Sequence, residues 1–470
     1  MTTFALSTMT TFPFDRDAET PLYRQIYDGY RNAILTGRLR PGERLPSTRA
    51  LATELAISRL PVVNAFEQLL AEGYVTGRMG SGTFVSESIP DDFARMRNAD
   101  VRVGWTGDVP SPTFHPFRVS LPALDHFPLR LWSRLTTRHA KNLRLEDLAY
   151  GDAAGTDALR IAIADYLRTA RSVQCDARQV LIVSGSQMAL HLCALTLLGS
   201  KTSVAIEEPG YPGARDALRR NGAQLVPVRV DEEGIDVDAL ASHKRIRAVY
   251  VTPSHQYPLG MSMTIARRLA LLEWARRTRA WILEDDYDSE YRYASRPLGA
   301  LQGLDTHARV IYIGTFSKVL FPSLRIGYLV VPHELIDDFL RHRESIDLFP
   351  PVLEQLVLAE FLRDGHFGRH LRRMRALYHA RRDALVRGLA QHAPSLVPHN
   401  TDAGLHVSAF LPRGINDLAF VRNAAERNLD MIALSMCYAG RAKKNGVILG
   451  FGGASERRLL AACKQLGALL

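Results

Sequence analysis

The chain has 470 residues, with 46% hydrophobic and 23% charged residues, which is typical of a soluble globular protein with two or more domains. No apolar run approaches the roughly 18 residues of a membrane helix, and the four cysteines lack the spacing of a zinc site, so we expect reduced thiols in a cytoplasm. The net charge of +10 favours an anionic partner such as nucleic acid.

The first predicted domain spans residues 15–86 and contains three short helices. Apolar residues at helical spacing predict a helix over residues 21–36, and Ser47 and Ser58 are predicted N-caps of the second and third helices. Two short strands within residues 74–85 are predicted to form a hairpin. The inward face of the third helix is predicted to consist of Val62, Phe66, Leu69 and Leu70. This order of elements predicts a winged helix-turn-helix.

The third helix of this domain is predicted to enter the major groove of double-stranded DNA. Arg59 is suited to a base or a phosphate, Ser58 to a phosphate, and Arg49 on the preceding helix to the DNA backbone. Residues 21–85 contain eight Arg and five acidic residues, so the domain is basic. From this pattern alone, the alternative is a protein-interaction domain whose arginines are a solvated face.

The rest of the chain is predicted to be a linker followed by one large domain. Residues 87–115 contain Pro, Gly and adjacent Asp residues without apolar periodicity, which predicts an extended linker. In residues 116–470, strands and helices first alternate, which predicts an α/β fold with a mostly parallel sheet covered by helices. After Pro351, long helices and two later strands predict a smaller α+β subdomain.

One lysine stands at the end of an apolar strand, among hydroxyl groups and an arginine. Lys318 follows Thr315 and Ser317, and Arg325 comes seven residues later. Desolvation lowers the pKa of a lysine amine and prepares it to attack an aldehyde, while hydroxyls and a guanidinium suit a phosphate. An aldehyde and a phosphate together predict pyridoxal phosphate (PLP). The alternative is a surface lysine in a strand-to-loop turn.

Other predicted strand ends carry further candidates for binding PLP. A turn of small residues with Gly185, Ser186 and Gln187 opens a helix, and its backbone N–H groups suit a phosphate. Tyr211 provides an aromatic ring after another strand, and His255 belongs to a rigid turn after a third. For the turn at Gly185, Ser186 and Gln187, the alternative is an ordinary strand-to-helix turn. The phosphate-binding interpretation of this turn therefore depends on the candidates at the other strand ends.

A cluster of acidic residues follows one more strand, at Glu284-Asp285-Asp286-Tyr287. A carboxylate buried there needs a cationic partner, which a protonated pyridine nitrogen provides. Asp285 is therefore predicted to bind the pyridine nitrogen, and Tyr287 the phenolic oxygen of the same ring. The alternative is a solvated acidic turn.

The first domain closely resembles the GntR-type winged helix. The resemblance rests on Leu45-Pro46-Ser47-Thr48-Arg49, on Ser58-Arg59, and on Gly80-Ser81-Gly82-Thr83-Phe84-Val85. It implies that Arg49, Ser58, Arg59 and Gly80 contact DNA. Leu60-Pro61 departs from the polar residues that are more usual in the family, which implies a different base preference.

The large domain resembles the fold-type I PLP enzymes of the aminotransferase family. Together with its first domain, the chain looks like a MocR-type (GabR-like) transcriptional regulator from about residue 20 to its end. The resemblance implies that Lys318 forms the Schiff base, Asp285 binds the pyridine nitrogen and Tyr287 binds O3′. The phosphate-binding positions that it implies are Thr315, Ser317, Arg325, Ser186 and Gln187. It also implies a head-to-tail homodimer.

The last strand departs from the aminotransferase pattern. Amino-acid aminotransferases carry an arginine there for the substrate's α-carboxylate, whereas residues 446–451 contain none, and Arg441, Lys443 and Lys444 lie before the strand. We therefore expect a regulator that senses an amine, an amino acid or PLP itself through a Schiff base on Lys318. The alternatives are an active aminotransferase with a regulatory DNA-binding head, and a DNA-binding scaffold without PLP.

Overall fold

The structure is a computed structural model, and it describes residues 14–15, 18, 20–78, 81–87, 114–199, 201–243, 245–293 and 299–470. The chain divides into two compact units, Met1–Ser111 and Pro112–Leu470. The predicted linker, residues 87–115, lies almost entirely outside the described residues. Within the described residues, no helix combines the length and the apolar character needed to cross a membrane.

The first unit contains three helices and a two-stranded antiparallel hairpin. These elements are α1 Leu22–Leu35, α2 Thr48–Glu54, α3 Arg59–Ala71, β1 Val75–Arg78 and β2 Gly82–Val85. The predicted helices and the predicted hairpin are all present, with ends that differ by one or two residues. They form the winged helix-turn-helix that the order of the elements predicts.

Local hydrogen bonds and apolar contacts determine how these helices begin and pack. The Ser47 hydroxyl accepts from the Ala50 N–H at 3.1 Å, as an N-cap does, whereas Ser58 makes no such side-chain bond. The Tyr30 ring on α1 packs edge-to-face on Phe66 of α3, with centroids 5.5 Å apart. The prediction that Leu70 faces inward is wrong, because α1 covers the α3 face with Val62 and Phe66 and leaves Leu70 50% exposed.

An eight-stranded sheet forms the centre of the large unit. Its strands lie in the order β3-β10-β9-β8-β7-β4-β5-β6. β5, β4, β7, β8 and β9 are mutually parallel, while β10 is antiparallel to both of its neighbours and β6 to β5. The strands are β3 Val180–Val183, β4 Ser203–Glu208, β5 Gln224–Asp231, β6 Gly234–Ile235, β7 Ile246–Val251, β8 Trp281–Asp286, β9 Val310–Thr315 and β10 Gly327–Val330. The prediction of a mostly parallel sheet is confirmed.

Helices cover both faces of this sheet, because its strands are apolar on both sides. Val180 and Ile182 of β3 belong to one core cluster, whereas Leu181 and Val183 belong to another. The helices of the large unit are α4 Leu129–Lys141, α5 Leu145–Leu148, α6 Asp157–Arg171, α7 Ser186–Leu197, α8 Pro212–Arg220, α9 Val237–Ser242, α10 Ile265–Thr278, α11 Ile336–Asp347, α12 Val352–Arg363, α13 His366–His392, α14 Asp417–Ala425 and α15 Glu456–Gly467.

A second sheet belongs to the C-terminal subdomain. Its four antiparallel strands lie in the order β11-β12-β14-β13. They are β11 Pro398–His399, β12 His406–Phe410, β13 Ile432–Ala433 and β14 Gly446–Gly450. Together with α13 and α15, which pack on each other, they form the predicted α+β subdomain.

Candidate PLP site and DNA-binding surface

The carboxyl ends of the parallel strands meet at one edge of the main sheet, as they must in such a fold. A cavity of about 170 Å³ lies there. Nine of the predicted residues line it: Ser186, Gln187, Tyr211, Asp285, Tyr287, Thr315, Ser317, Lys318 and Arg325. The other two, Gly185 and His255, do not line the cavity. Gly185 lies against the Arg325 guanidinium, and His255 contacts the Tyr287 hydroxyl.

Lys318 follows β9 and is held with its amine at the cavity. Its Nζ donates to the Ser120 main-chain carbonyl at 3.3 Å. Burial lowers the pKa of this amine, while Asp288 and Asp285 act in the opposite direction. A lowered pKa leaves more of the amine neutral, and the neutral amine is the form that attacks an aldehyde.

Asp285 presents a carboxylate oxygen for which a cation is the fitting partner. Its Oδ2 accepts from the Tyr250 hydroxyl at 2.7 Å, whereas its buried Oδ1 has no hydrogen-bond partner among the described residues. Burial raises the pKa of the carboxyl to about 7, and the Tyr250 hydrogen bond opposes this shift. A protonated pyridine nitrogen would satisfy the oxygen and pair its charge.

The two acidic neighbours of Asp285 have other partners. Glu284 accepts from the N–H groups of Leu301 and Gln302 at 2.7 and 2.8 Å. Asp286 forms an ion pair with Arg171 at 2.8 Å. All three carboxylates are buried, so the alternative of a solvated acidic turn is wrong, and Asp285 is the one of the three that lines the cavity.

The opposite end of the cavity carries groups that suit a phosphate. The Thr315 hydroxyl accepts from the Ser317 N–H at 3.2 Å, and Arg325 donates to the Ser184 carbonyl. Helix α7 is 12 residues long and begins at Ser186, so its N-terminus lies at the cavity that Ser186 and Gln187 line. Gly185 has φ +85°, and a Cβ there would lie 3.1 Å from Arg325 Nη2. The glycine therefore leaves room for the guanidinium beside the turn.

Aromatic side chains form the walls between the two ends. Gln187 donates to the Tyr211 hydroxyl at 3.3 Å, and the Tyr211 ring lies 5.5 Å from the Tyr257 ring, edge to face. The Tyr287 ring is also edge to face with the Tyr257 ring, with centroids 6.2 Å apart. A flat heteroaromatic ring fits between such walls. Together with the amine, the open carboxylate oxygen and the phosphate groups, the residues present fit PLP.

Five lining residues were not among the predicted site residues: Ser120, Tyr250, Thr252, Tyr257 and Pro322. Tyr250 carried a usable signal, because it is a hydroxyl-bearing residue near the end of an otherwise aliphatic strand. Tyr257 and Thr252 belong to the same predicted rigid turn as His255. Ser120 carried no signal, since it reaches the cavity from a segment far away in the sequence, through a backbone with φ +68°.

The strand that lacks an arginine contributes an apolar side chain instead. Ile448 of β14 is fully buried in a cluster with Tyr257, Leu434 and Cys437. Lys444 lies over the Phe410 ring at 4.5 Å and is not among the residues that line the cavity. Among the described lining residues, Lys318 and Arg325 are the cationic ones.

The predicted DNA-binding residues lie on the surface of the first unit. Arg49, Ser58 and Arg59 are exposed, and Arg59 Nε donates to the Thr48 hydroxyl at 3.0 Å. Leu60, the next residue of α3, is 67% exposed. Gly80 lies outside the described residues. The first turn of α3 and the start of α2 thus present two arginines and a hydroxyl on neighbouring elements.

Comparison with known proteins identifies both units. The GntR family of bacterial regulatory proteins matches residues 22–85, and the class I and II aminotransferases match residues 136–439. The probable rhizopine catabolism regulatory protein MocR of Rhizobium meliloti is 40% identical over 466 residues, which are 96% of this chain and 94% of that protein. The chain belongs to the MocR-type regulators of the GntR family.

Other MocR-type regulators and solved aminotransferases agree with this assignment. The pyridoxine biosynthesis regulator PdxR of Corynebacterium glutamicum is 32% identical, over 94% of each chain. Kynurenine aminotransferase of Pyrococcus horikoshii, solved with PMP, is 28% identical with a TM-score of 0.70, over 75% of this chain and 89% of its own. LysN, an α-aminoadipate aminotransferase of Thermus thermophilus, is 29% identical with a TM-score of 0.70, over 75% and 91%. The large unit thus has the aminotransferase fold.

Proposed function

We propose that this MocR-type regulator binds a double-stranded DNA operator with its first unit and PLP with its large unit. Its signal is an amine, an amino acid or PLP itself, sensed at a Schiff base on Lys318. The observation that carries the proposal is one cavity that holds the Lys318 amine, the open Asp285 oxygen and the phosphate-binding groups together.

Each of the lining residues has a distinct role in this proposal. PLP would supply an aldehyde, and the Lys318 amine would hold the cofactor by condensing with it and releasing water. Asp285 binds the protonated pyridine nitrogen, and Tyr287 donates to the phenolic oxygen. Tyr211 covers one face of the ring. The phosphate is bound by Thr315, Ser317, Arg325, Ser186, Gln187 and the backbone at Gly185. His255 acts behind Tyr287.

An effector with a primary amine would form its own bond to the aldehyde carbon of PLP and would release Lys318 as a free amine. The described residues that line the cavity also offer aromatic contacts, among them Tyr257, which packs in an apolar cluster with Ile448. The two cationic lining residues are already engaged by the cofactor. This favours an effector that does not depend on a charge-paired carboxylate, although an amino acid held differently and PLP alone belong to the same proposal.

We further propose that the protein is a homodimer with a head-to-tail arrangement, and that it acts in the cytoplasm. Support for a dimer comes from large apolar side chains that the large unit leaves exposed. Leu145, Leu148 and Tyr150 lie next to one another in sequence, and Tyr150 is 87% exposed. Two DNA-binding heads would then bind two operator half-sites.

A chemical test maps the proposed bond directly. Full-length protein is titrated with PLP while absorbance at the edge of the visible range is followed, then reduced with borohydride and digested. Mass spectrometry should find the phosphopyridoxyl group on Lys318, and Lys318→Ala protein should carry none. Modification of a different lysine, or the absence of any band, would remove Lys318 as the PLP-binding residue.

An active aminotransferase is the second candidate, because the large unit shares its fold with aminotransferases solved with cofactor and substrate groups. The assay mixes PLP-loaded protein with amino acids and a keto acid. Turnover on the order of 1 s⁻¹ or faster is typical of enzymes and would favour the enzyme. We expect much slower turnover, since β14 contains no arginine, whereas amino-acid aminotransferases carry one on their last strand.

A further inference from the structure

The Tyr287 hydroxyl is bonded to a buried pair of residues behind it. It lies 2.9 Å from His255 Nδ1 and donates to the His255 main-chain carbonyl at 3.0 Å. The two carboxylate oxygens of Asp288 lie 3.0 and 3.1 Å from the same Nδ1. His255 and Asp288 are almost fully buried, and neither lines the cofactor cavity. The pair can therefore influence the cofactor through Tyr287 or across space, but not by contact.

The hydrogen bonds assign one arrangement of protons to this group. An imidazole nitrogen carries at most one hydrogen, and a carboxylate accepts. The Nδ1 hydrogen of His255 therefore points to Asp288, and Tyr287 places its own hydrogen on the His255 carbonyl. His255 Nε2 is buried without a hydrogen-bond partner among the described residues, which suits an unprotonated nitrogen. The neighbouring His406 ring is 5.1 Å away, and burial lowers its pKa to about 3, so it brings no charge.

Main chain is packed directly against the pair. Gly404 has φ +76°, and a Cβ there would lie 2.0 Å from His255 Cε1 and 2.6 Å from Asp288 Oδ2. A side chain at this position would both clash and adopt an unfavourable backbone conformation. The glycine thus lets the backbone enclose the pair, which holds the imidazole in one orientation.

We propose that His255 and Asp288 are positioning residues for Tyr287. They hold its hydroxyl beside the cavity, where its single hydrogen, which the His255 carbonyl otherwise accepts, would turn to the phenolic oxygen of PLP. In this way they set the pH at which the Lys318 Schiff base is protonated. This inference rests on the proposed function, because it requires PLP bonded to Lys318. A hydrogen bond to the phenolate weakens the phenolate's hold on the Schiff-base proton. Loss of the Tyr287 bond should therefore raise the pH of protonation.

Other charged and titratable groups face the same centre. Besides Asp288, the groups that act on Tyr287 are Asp285, Glu207 and Tyr257. Asp285 and Arg325 act on Lys318, and the His406 ring lies beside His255. They are the same in every variant considered below. Differences between variants therefore report on the His255 and Asp288 pair.

The test is a pH titration of the absorption band of PLP-loaded, full-length protein. His255→Leu should raise the midpoint by on the order of one pH unit, and His255→Asn, whose amide nitrogen can replace Nδ1, should restore it. In a Tyr287→Phe background, His255→Leu should cause no further shift. His342→Leu is the matched control, because it removes a half-buried histidine of α11 whose Nδ1 lies 3.2 Å from the Thr196 hydroxyl of α7. It should leave the midpoint unchanged.

Asp288→Asn keeps the shape of the side chain and separates positioning from charge. The Asn amide oxygen can still accept the Nδ1 hydrogen, so this variant removes the negative charge beside the cationic Schiff base and should lower the midpoint, whereas loss of Tyr287 positioning raises it. An unchanged or lowered midpoint in His255→Leu, or additive shifts with Tyr287→Phe, would overturn the proposal. Wild-type protein without a PLP band would instead overturn the proposed function, and this inference with it.

Discussion

Burial raises the pKa of the Asp285 carboxyl to about 7, and the Tyr250 hydroxyl, at 2.7 Å, only partly opposes this shift. The raised pKa means that the ionised form is less stable in the folded protein than in water. The cofactor's pyridinium is the group that would offset this cost, because it places a positive charge at the open Oδ1. Stability should therefore depend on pH and on PLP through this one residue.

We expect cofactor-free protein to lose stability, relative to Asp285→Asn, as the pH rises from 5 to 8. The carboxyl ionises near its ordinary pKa of about 3.9 in the unfolded chain and near 7 in the folded chain. Between these values the folded state holds more protons. The free energy of unfolding of the wild type, relative to Asp285→Asn, therefore falls by up to roughly 1.4 kcal/mol per pH unit and levels off above the folded pKa. Thermal melts of both proteins across this range measure it.

The comparison with Asp285→Asn isolates this residue from others that behave alike. Burial also raises the pKa of Glu207 and of Glu284 to about 7, and these residues contribute the same slope to both proteins. Added PLP should reduce the wild-type deficit at pH 8, since the pyridinium pairs with the ionised carboxylate. A difference that does not change with pH would show that Asp285 is ionised throughout.

Residue type and position at a predicted strand end are enough to predict Lys318, Asp285 and Arg325 as site residues, because an amine, a carboxylate and a guanidinium can each bind a part of PLP. Tyr250 is different, since its role depends on the pairing of β7 with β8. That register sets Tyr250 beside Leu283, two residues before Asp285, on the same face of the sheet. The sequence of one strand does not specify the register of its neighbour, so the Tyr250 hydrogen bond could not be predicted.

Helix α3, which we expect to bind DNA, has its first turn held by the neighbouring helix α2. Arg59 opens α3, and its Nε donates to the Thr48 hydroxyl at the start of α2 at 3.0 Å. The guanidinium is exposed but tied to α2, which reduces the number of conformations it must lose on binding DNA. Leu60 beside it is 67% exposed and suits the methyl group of a thymine.

We expect Arg59→Ala to weaken operator binding by about 1–3 kcal/mol, because a base or phosphate contact is lost. Thr48→Val should cause a smaller loss, since Arg59 remains but is no longer held. The operator is first obtained by selection from random DNA, and binding is then measured at fixed salt. Arg24→Ala, which removes an exposed arginine paired with Asp28 at 3.1 Å on α1, serves as the control. Unchanged binding by Arg59→Ala would exclude Arg59 from DNA recognition.

At the level of elements, the strands of the main sheet were predictable, whereas some helices, such as α6, were not among the predicted elements. Buried parallel strands form continuous apolar runs, so β7, β8 and β9 are evident in the sequence. Helix α6 carried a signal in Leu159, Ile163 and Leu167, which recur every four residues and are all buried. The two-residue strands β6, β11 and β13 are too short to form any pattern, and their existence depends on the strand that they pair with.

For the whole molecule, the proposed function requires that a small molecule bound in one unit changes DNA binding by the other. The hydrophobic core of the first unit is built from residues 26–85, and the PLP cavity is lined by residues of the large unit. Each unit can thus keep its own fold when the other is altered. Regulation then requires a coupling free energy, in which effector and DNA each change the affinity for the other by the same factor.

Lys318→Ala separates this coupling from DNA binding itself. We expect the variant to bind operator with nearly wild-type affinity, because the first unit is unchanged, and to lose the change in affinity that PLP with an amine causes in the wild type. Fluorescence anisotropy with labelled operator, with and without PLP and a panel of primary amines and amino acids, measures both quantities. Lys443→Ala, which removes an exposed lysine from the loop before β14, is the control and should respond normally. A normal response in Lys318→Ala would mean that noncovalent binding in the cavity, rather than the bond to Lys318, switches the protein.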